Sequence, residues 1–167
     1  MNNLHNSFQS AYKAHHSTET VLLRLKNDIQ CDLSKNRKTA VVLLDLSAAF
    51  DTIDKSLLLD SLKHWFGIDG LAFDWFSSYL SDHLQCVRVG KSFSSDKEVI
   101  CGVPQGSVLG PLLCSLYTSP LSIFISRHPT INHLLYADDT QLYMSLSPIS
   151  AAVSLSEMSD CLQEISK

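Results

Sequence analysis

Long apolar runs, paired cysteines and an excess of basic residues are all missing from this chain of 167 residues. No apolar stretch approaches the roughly 20 residues of a membrane-spanning helix, and the first residues lack the apolar core of a signal peptide. The five cysteines are widely spaced without a CxxC pair, so they indicate neither a zinc site nor a disulfide framework. We therefore expect an intracellular protein, in the nucleus or cytoplasm, with no membrane contact.

Basic residues are too few for a protein that binds a polyanion unaided. Lys and Arg number 13 against 17 Asp and Glu, which gives a formal net charge of −4. Because Lys and Arg supply most non-specific affinity for nucleic acid, this balance argues against a free-standing nucleic-acid-binding module. Repeats, low-complexity tracts and linkers are also absent. The 45% apolar content therefore predicts one continuous domain, or part of one, with a sizeable core.

The apolar pattern predicts helices alternating with short strands. Residues 17–33 carry apolar side chains at every fourth position and predict a helix, and residues 39–44 form an apolar run that predicts a buried central strand. Hairpins are predicted at residues 84–100 and 131–146. Further helices are predicted at 57–66, 71–80, 110–125 and 149–165, with a kink or split at Pro120. Helices on one face of an antiparallel sheet make an α+β fold.

Three carboxylates lie at the ends of predicted strands. Asp45 directly follows the run at 39–44, and Asp138 and Asp139 belong to the sequence Tyr-Ala-Asp-Asp at 136–139. Acids placed in this way could hold two divalent cations about 3.5–4 Å apart, an arrangement that performs phosphoryl transfer on nucleotides. Without cations or protons, two carboxylates roughly 4 Å apart repel by about 4 kcal/mol at an effective dielectric of 20. Taken alone, Asp45 would be a helix N-cap.

The residues between and before these acids resemble a known family. Residues 102–113 read Gly-Val-Pro-Gln-Gly-Ser-Val-Leu-Gly-Pro-Leu-Leu, and residues 9–20 read Gln-Ser-Ala-Tyr-Lys-Ala-His-His-Ser-Thr-Glu-Thr. With the acid motifs in this order, the chain resembles the palm of a reverse transcriptase, and more narrowly that of non-LTR (LINE-type) retrotransposons. The resemblance implies a partial reverse transcriptase domain over 1–167, with 9–38 as a fingers-to-palm segment and 39–167 as the palm core.

The resemblance implies an RNA-directed DNA polymerase, a nucleotidyltransferase that adds a dNTP to the 3′-hydroxyl of a DNA primer on an RNA template. Asp45, Asp138 and Asp139 are then catalytic, and with the backbone carbonyl of Leu46 they are ligands of two Mg²⁺ (or Mn²⁺) ions. The fingers and thumb, where the family's positive charge should concentrate, are expected to be incomplete. The alternative is a catalytically inactive retroelement remnant with at most a binding role.

Nucleotide contacts are implied by the same family pattern. Phe50 matches the aromatic residue beneath the incoming sugar, with a core residue as the alternative. Gln105 and Gly106 match residues beside the nascent base pair, although a simple Pro-Gln-Gly turn would look the same. Asp51 could orient the neighbouring backbone or an active-site residue, or it could be a solvated or capping carboxylate. The candidates for nucleic-acid contact are Lys13, where the family usually has Arg, together with Arg24 and Ser107.

Overall fold

Two compact units make up the chain in a computed structural model, which describes residues 6–46 and 48–166. The described residues of the first unit are 48–117, and those of the second are 6–46 and 118–166. None of the helices in these ranges is long and apolar enough to cross a membrane. In chain order the elements are α1 (Thr18–Ser34), β1 (Lys38–Leu44), α2 (Lys55–His64), α3 (Gly70–Leu80), β2 (Leu84–Gln85), β3 (Arg88–Val89), β4 (Ser92–Phe93), β5 (Lys97–Glu98), α4 (Gly110–Ile125), β6 (Asn132–Tyr136), β7 (Asp139–Leu146) and α5 (Ala151–Ile165).

The second unit is built on a three-stranded antiparallel sheet with the order β1–β7–β6. The prediction that residues 39–44 form the buried central strand is wrong, because β7 lies in the middle and β1 at an edge. At the C-terminal end of β1 only one face is covered in this unit. Val42 and Leu44 pack into the core, whereas the intervening Leu43 is 72% exposed. A continuous apolar run thus does not by itself report burial on both faces.

Helices cover both faces of this sheet. Successive side chains of a strand point to opposite faces, so Leu142 and Met144 of β7 share one face and Tyr143 points to the other. The first pair packs with Met158 of α5 and with the C-terminal part of α4. Tyr143 packs with Val21 of α1. The expected packing on one face holds for α4 and α5, and α1 lies on the opposite face.

Helix α1 is anchored at its start and along its buried side. Ser17 and Thr20 form a capping box, in which each side-chain oxygen accepts a hydrogen bond from the other residue's backbone N–H. The hydroxyl of Tyr143 donates to the carboxylate of Asp28 at 2.7 Å. Burial, followed by the hydrogen bond and charge of Asp28, raises the pKa of Tyr143 to about 12, so the hydroxyl remains a donor at neutral pH.

The first unit contains α2, α3, the N-terminal part of α4 and a small hairpin. Asp54 and Asp69 cap α2 and α3 by accepting hydrogen bonds from backbone N–H groups. Leu58 and Leu62 are completely buried in a core that α4 helps to form. The predicted hairpin around Gly90 is present as two short ladders, β2 with β5 and β3 with β4, and its strands are exposed.

Helix α4 continues through Pro120, so a split of the helix at this proline does not occur. An interior proline costs a helix about 3 kcal/mol, because it removes one hydrogen bond and crowds the preceding turn. Residues on both sides of the proline are buried, Leu116 in the core of the first unit and Ile125 in that of the second. We attribute the continuity of α4 to this burial.

We expect a buried histidine in β6 to make the second unit sensitive to acid. His133 is 3% exposed, its ring lies 4.0 Å from that of Phe8 between centroids, and its Nε2 finds no hydrogen-bond partner among the described residues. Burial and the charge of Arg24 lower its pKa to about 4. An unfolded histidine binds its proton near pH 6.5, so between these pH values the unfolded state binds more protons than the folded one.

We therefore expect the free energy of unfolding to fall as the pH drops from about 6.5 to 4, by at most about 1.4 kcal/mol per pH unit. Urea unfolding followed by circular dichroism at pH 7 and pH 5 measures this. Replacement His133→Leu should remove most of the dependence, whereas His64→Gln, at an exposed position on α2, should keep it. Equal pH dependence in the wild type and His133→Leu would contradict the assignment.

Candidate active site

The register of the β1–β7 ladder brings two predicted carboxylates together. Leu44 pairs with Thr140 in the last rung of the ladder. Continued by one residue in each strand, the same register places Asp45 level with Asp139, on the face opposite to Leu44. Asp45 directly after β1 and Asp139 at the start of β7 therefore lie at the same end of one sheet, although 94 positions separate them in the sequence (139 − 45).

A two-residue loop carries the third carboxylate. Tyr136 and Asp139 form the last pair of the β6–β7 hairpin, which leaves Ala137 and Asp138 as the loop between them. Ala137 has a φ of 56°, the sign that tight hairpin turns require and that a non-glycine residue adopts at a cost. The predicted hairpin is present, with Asp138 in its loop and Asp139 as the first residue of β7.

All three carboxylates are accessible within the second unit. Asp45 and Asp139 are exposed and Asp138 is partly buried. Leu43, near the end of β1 and two residues before Asp45, is 72% exposed, so the described part of this unit leaves that end of the face uncovered. The acids therefore lie on a surface that a large polyanionic ligand can approach once cations neutralise the charge.

The oxygen donors at this end of the sheet suit hard divalent cations. Three carboxylates and the backbone carbonyl of Leu46 offer the ligands that Mg²⁺ prefers. In the described ranges, no group of three or more His, Cys, Asp or Glu side chains is arranged as a ready-made metal site. Mg²⁺ is usually held by one or two carboxylates, with substrate phosphates and water completing its shell. The residues thus fit a cation that arrives with a nucleotide.

Sequence reasoning missed Gln9, which holds the loop of the hairpin. Gln9 is 3% exposed, and its side chain pairs with both backbone groups of Ala137, accepting from the N–H at 2.9 Å and donating to the carbonyl oxygen at 3.0 Å. The adjacent Ser10 N–H donates to the carbonyl of Leu135 at 2.9 Å. The sequence offered one signal, a glutamine at the start of the family-like segment 9–20. If that amide is buried, it needs hydrogen-bond partners, because buried polar groups almost always have them.

The first unit gathers the residues predicted to contact the nucleotide. Phe50, Gln105 and Gly106 line a cavity of about 320 Å³ together with Ser107. A backbone hydrogen bond of 2.8 Å from the N–H of Val103 to the carbonyl of Phe50 ties the two loops to each other. Phe50 also packs against the buried core of this unit, so its ring is fixed from one side and borders the cavity on the other.

Asp51 orients Gln105. The amide nitrogen of Gln105 donates to both carboxylate oxygens of Asp51, at 2.9 Å each. Gly106 follows with a φ of +76°, which glycine adopts without strain. The hydroxyl oxygen of Ser107 then accepts a hydrogen bond of 3.0 Å from the N–H of Gly110, at the start of α4. This loop is therefore held in a defined conformation by its own side chains.

The two basic candidates for nucleic-acid contact lie in the second unit. The ammonium group of Lys13 donates to the carbonyl oxygen of Asn6, and partial burial lowers the pKa of Lys13. Arg24 is exposed on α1, where its charge contributes to the lowered pKa of His133. Contact of either residue with nucleic acid stays a prediction.

Comparison with known proteins decides the family. A family model described as reverse transcriptase (RNA-dependent DNA polymerase) matches residues 1–166, nearly the whole chain. The chain belongs to the reverse transcriptase family. The family of nucleotidyltransferases inferred from the motifs is thereby confirmed.

The relatives of this chain include polymerases of non-LTR retrotransposons, as the motifs predicted. The chain is 33% identical over 163 residues to the RNA-directed DNA polymerase from mobile element jockey of Drosophila melanogaster, covering 94% of the chain and 18% of the relative. It is 32% identical over 146 residues to the probable RNA-directed DNA polymerase from transposon BS of the same species, covering 82% and 15%. The chain thus spans less than a fifth of the length of these relatives.

Solved structures confirm the predicted palm, which belongs to the right-hand polymerase fold. A telomerase from Candida tropicalis matches this chain with a TM-score of 0.68 at 17% identity, over 93% of the chain and 32% of the telomerase chain. A telomerase from Candida albicans matches with a TM-score of 0.63 at 14% identity, over 88% and 28%. The predicted α+β palm with an antiparallel sheet is therefore correct as a fold class.

Proposed function

We propose that this chain is the palm core of an RNA-directed DNA polymerase. In the proposed reaction the 3′-hydroxyl of a DNA primer attacks the α-phosphate of a dNTP on an RNA template. The observation that carries the proposal is the β1–β7 register, which, continued by one residue, would pair Asp45 with Asp139, the residue that follows Asp138. Family membership and the activity named for the jockey relative support the same reaction.

Two Mg²⁺ (or Mn²⁺) ions would be held by Asp45 and Asp138, with Asp139 beside them and the carbonyl of Leu46 as a further oxygen donor. Such ions stabilise the charge that develops on the phosphate and activate the attacking hydroxyl. The chain's own contribution is to carry the acids at one end of paired strands, where mutual repulsion between carboxylates favours cation uptake. The exposed face leaves room for the phosphates.

The first unit would supply contacts to the nucleotide and template. Phe50, held by the core and bordering the cavity, would exclude a 2′-hydroxyl by steric contact. Gln105, oriented by Asp51, and the open backbone of Gly106 would lie beside the nascent base pair. Three further residues are proposed to contact nucleic acid, and these are Lys13, Arg24 and Ser107.

Mn²⁺ titration of the 167-residue chain tests the metal site. We expect wild type to bind with about millimolar affinity, and Asp45→Asn and Asp138→Asn to bind at least roughly tenfold more weakly, because each loses one charge next to the cation. Electron paramagnetic resonance of free Mn²⁺ gives the bound fraction. Asp160→Asn, which removes an exposed acid of α5 in the same unit, is the matched control and should bind like wild type.

Binding that is equal in wild type and all three variants, or absent from all of them, would contradict the proposed metal site. That result would favour the alternative of an inactive retroelement remnant. Binding lost in both active-site variants and kept in Asp160→Asn would support the two-metal reading.

A further inference from the structure

We propose that Gln9 is a positioning residue for the reaction, which fixes the loop of Ala137 and Asp138 and so sets where the Asp138 carboxylate meets the cations. The inference rests on the proposed function, since it concerns the same metal site. Gln9 itself touches neither substrate nor cation in this role, because it acts through the backbone of Ala137.

The side-chain amide of Gln9 hydrogen-bonds both the N–H and the carbonyl of one residue, Ala137. Its Oε1 accepts from the N–H of Ala137 at 2.9 Å, and its Nε2 donates to the carbonyl oxygen of Ala137 at 3.0 Å. The same Oε1 accepts from the N–H of Ala11 at 3.0 Å. Every polar atom of the buried amide is therefore used, and two of these three bonds hold the residue directly before Asp138.

Ala137 needs such support because of its backbone conformation. Its φ of 56° lies in the left-handed region, which costs an L-residue with a Cβ roughly 1–2 kcal/mol. A single alternative rotation of this residue would swing Asp138 away from the end of β7. Two hydrogen bonds from a buried side chain stabilise the left-handed state against that rotation.

The segment that presents Gln9 is itself registered on β6. The N–H of Leu135 donates to the carbonyl of Phe8 at 3.0 Å, and the N–H of Ser10 donates to the carbonyl of Leu135 at 2.9 Å, so Gln9 forms a parallel bridge with Leu135. Gln9 thus has a fixed position beside β6, the strand that leads into the loop of Ala137 and Asp138. Only an uncharged group with both a donor and an acceptor can satisfy both backbone groups of Ala137 from there.

The first test compares wild type with Gln9→Met, which keeps the length of the side chain and removes all three hydrogen bonds. In the ¹⁵N-labelled 167-residue chain, we expect the protection of the Ala137 amide against hydrogen exchange to fall at least about tenfold, the factor that one lost buried hydrogen bond implies. Amides in the middle of β7 should keep their protection. Mn²⁺ should bind roughly fivefold or more weakly, because Asp138 is no longer held in place.

Ser10→Ala is the matched control. Ser10 is the neighbouring residue, also buried at 8% exposure, and its hydroxyl contacts His16 at 3.2 Å rather than the loop. Its removal should leave both the Ala137 amide and Mn²⁺ affinity unchanged. A loss of the same size in Ser10→Ala would show that the whole segment had loosened, and would overturn a specific role for Gln9.

Gln9→Glu provides a second variant that separates hydrogen bonding from packing. A protonated Glu can donate to the Ala137 carbonyl and accept from its N–H, as the amide does, whereas the carboxylate cannot donate. Burial raises the pKa of a carboxyl group at such a site. We therefore expect the Ala137 protection factor of Gln9→Glu to approach the wild-type value near pH 5.5 and to fall at least about fivefold by pH 8.

The outcomes distinguish the two proposals. If wild type shows no Mn²⁺ binding that depends on Asp45 and Asp138, the metal site is rejected, and the role of Gln9 is rejected with it. If that binding is present but Gln9→Met leaves it unchanged, the role of Gln9 alone is overturned. If hydrogen exchange of the Ala137 amide is unchanged in Gln9→Met, the role of Gln9 is also overturned, whatever the result for Mn²⁺ binding.

Discussion

Primer extension is expected to fall roughly 10³-fold when Asp45 or Asp138 is replaced by Asn, which corresponds to about 4 kcal/mol of transition-state stabilisation. Asn keeps the size of Asp and removes the charge that holds a cation near the reacting phosphate. Because the chain covers 18% of the jockey polymerase, the measurement belongs in a chimera in which this chain replaces the matched segment of that relative. Extension of oligo(dT) on poly(rA) in Mg²⁺ gives the rate.

Two comparisons make this result interpretable. Asp160→Asn in the same chimera should extend at the wild-type rate, because Asp160 lies on the exposed side of α5. The unaltered jockey polymerase shows whether the assay works. If the jockey polymerase is active but the folded chimera extends no primer, the result would favour an inactive remnant. If the chimera extends at the same rate with either Asp replaced by Asn, the catalytic role of Asp45 and Asp138 would be refuted.

Gly102→Ala is expected to lower the free energy of unfolding of the first unit by at least about 3 kcal/mol. A Cβ at Gly102 would lie 2.8 Å from the carbonyl oxygen and 2.9 Å from the Cα of Asp51, both backbone atoms that cannot rotate away. The φ of +84° adds the strain of a left-handed conformation. The N–H of Gly102 also donates to the carbonyl of Ile53 at 2.7 Å, so the two loops are closely joined here.

Urea unfolding followed by tryptophan fluorescence reports on this unit, because Trp65 and Trp75 both belong to it. Gly90→Ala is the matched control, since Gly90 has a similar φ of +61° but a Cβ added there would meet no atom within 4 Å. The control should lose only the roughly 1–2 kcal/mol of backbone strain. Equal losses in the two variants would mean that the close approach to Asp51 contributes nothing.

Local pattern predicted most elements because its physical cause is local. The apolar side chains at every fourth position of residues 17–33, with Ser and Thr at the start, predicted α1, which the structure has at Thr18–Ser34. Both signals are local, because apolar periodicity and a Ser/Thr cap act within a few turns of one helix. The run at 39–44 predicted β1 at Lys38–Leu44 but not its edge position. Which strand lies in the middle depends on pairing between distant segments, and apolar content alone does not encode it.

The sequence by itself determined the family, the fold class and the candidate acids, because motif residues and apolar periodicity are local features of the amino-acid sequence. Only the tertiary structure decided how those residues meet. The β1–β7 register sets Asp45 level with Asp139, and a glutamine 128 residues upstream holds the residue before Asp138. Asp51 orients Gln105 across 54 residues in the same way. Such contacts follow from strand pairing and loop packing, whose energies depend on groups far apart in sequence and so leave no periodic signal in it.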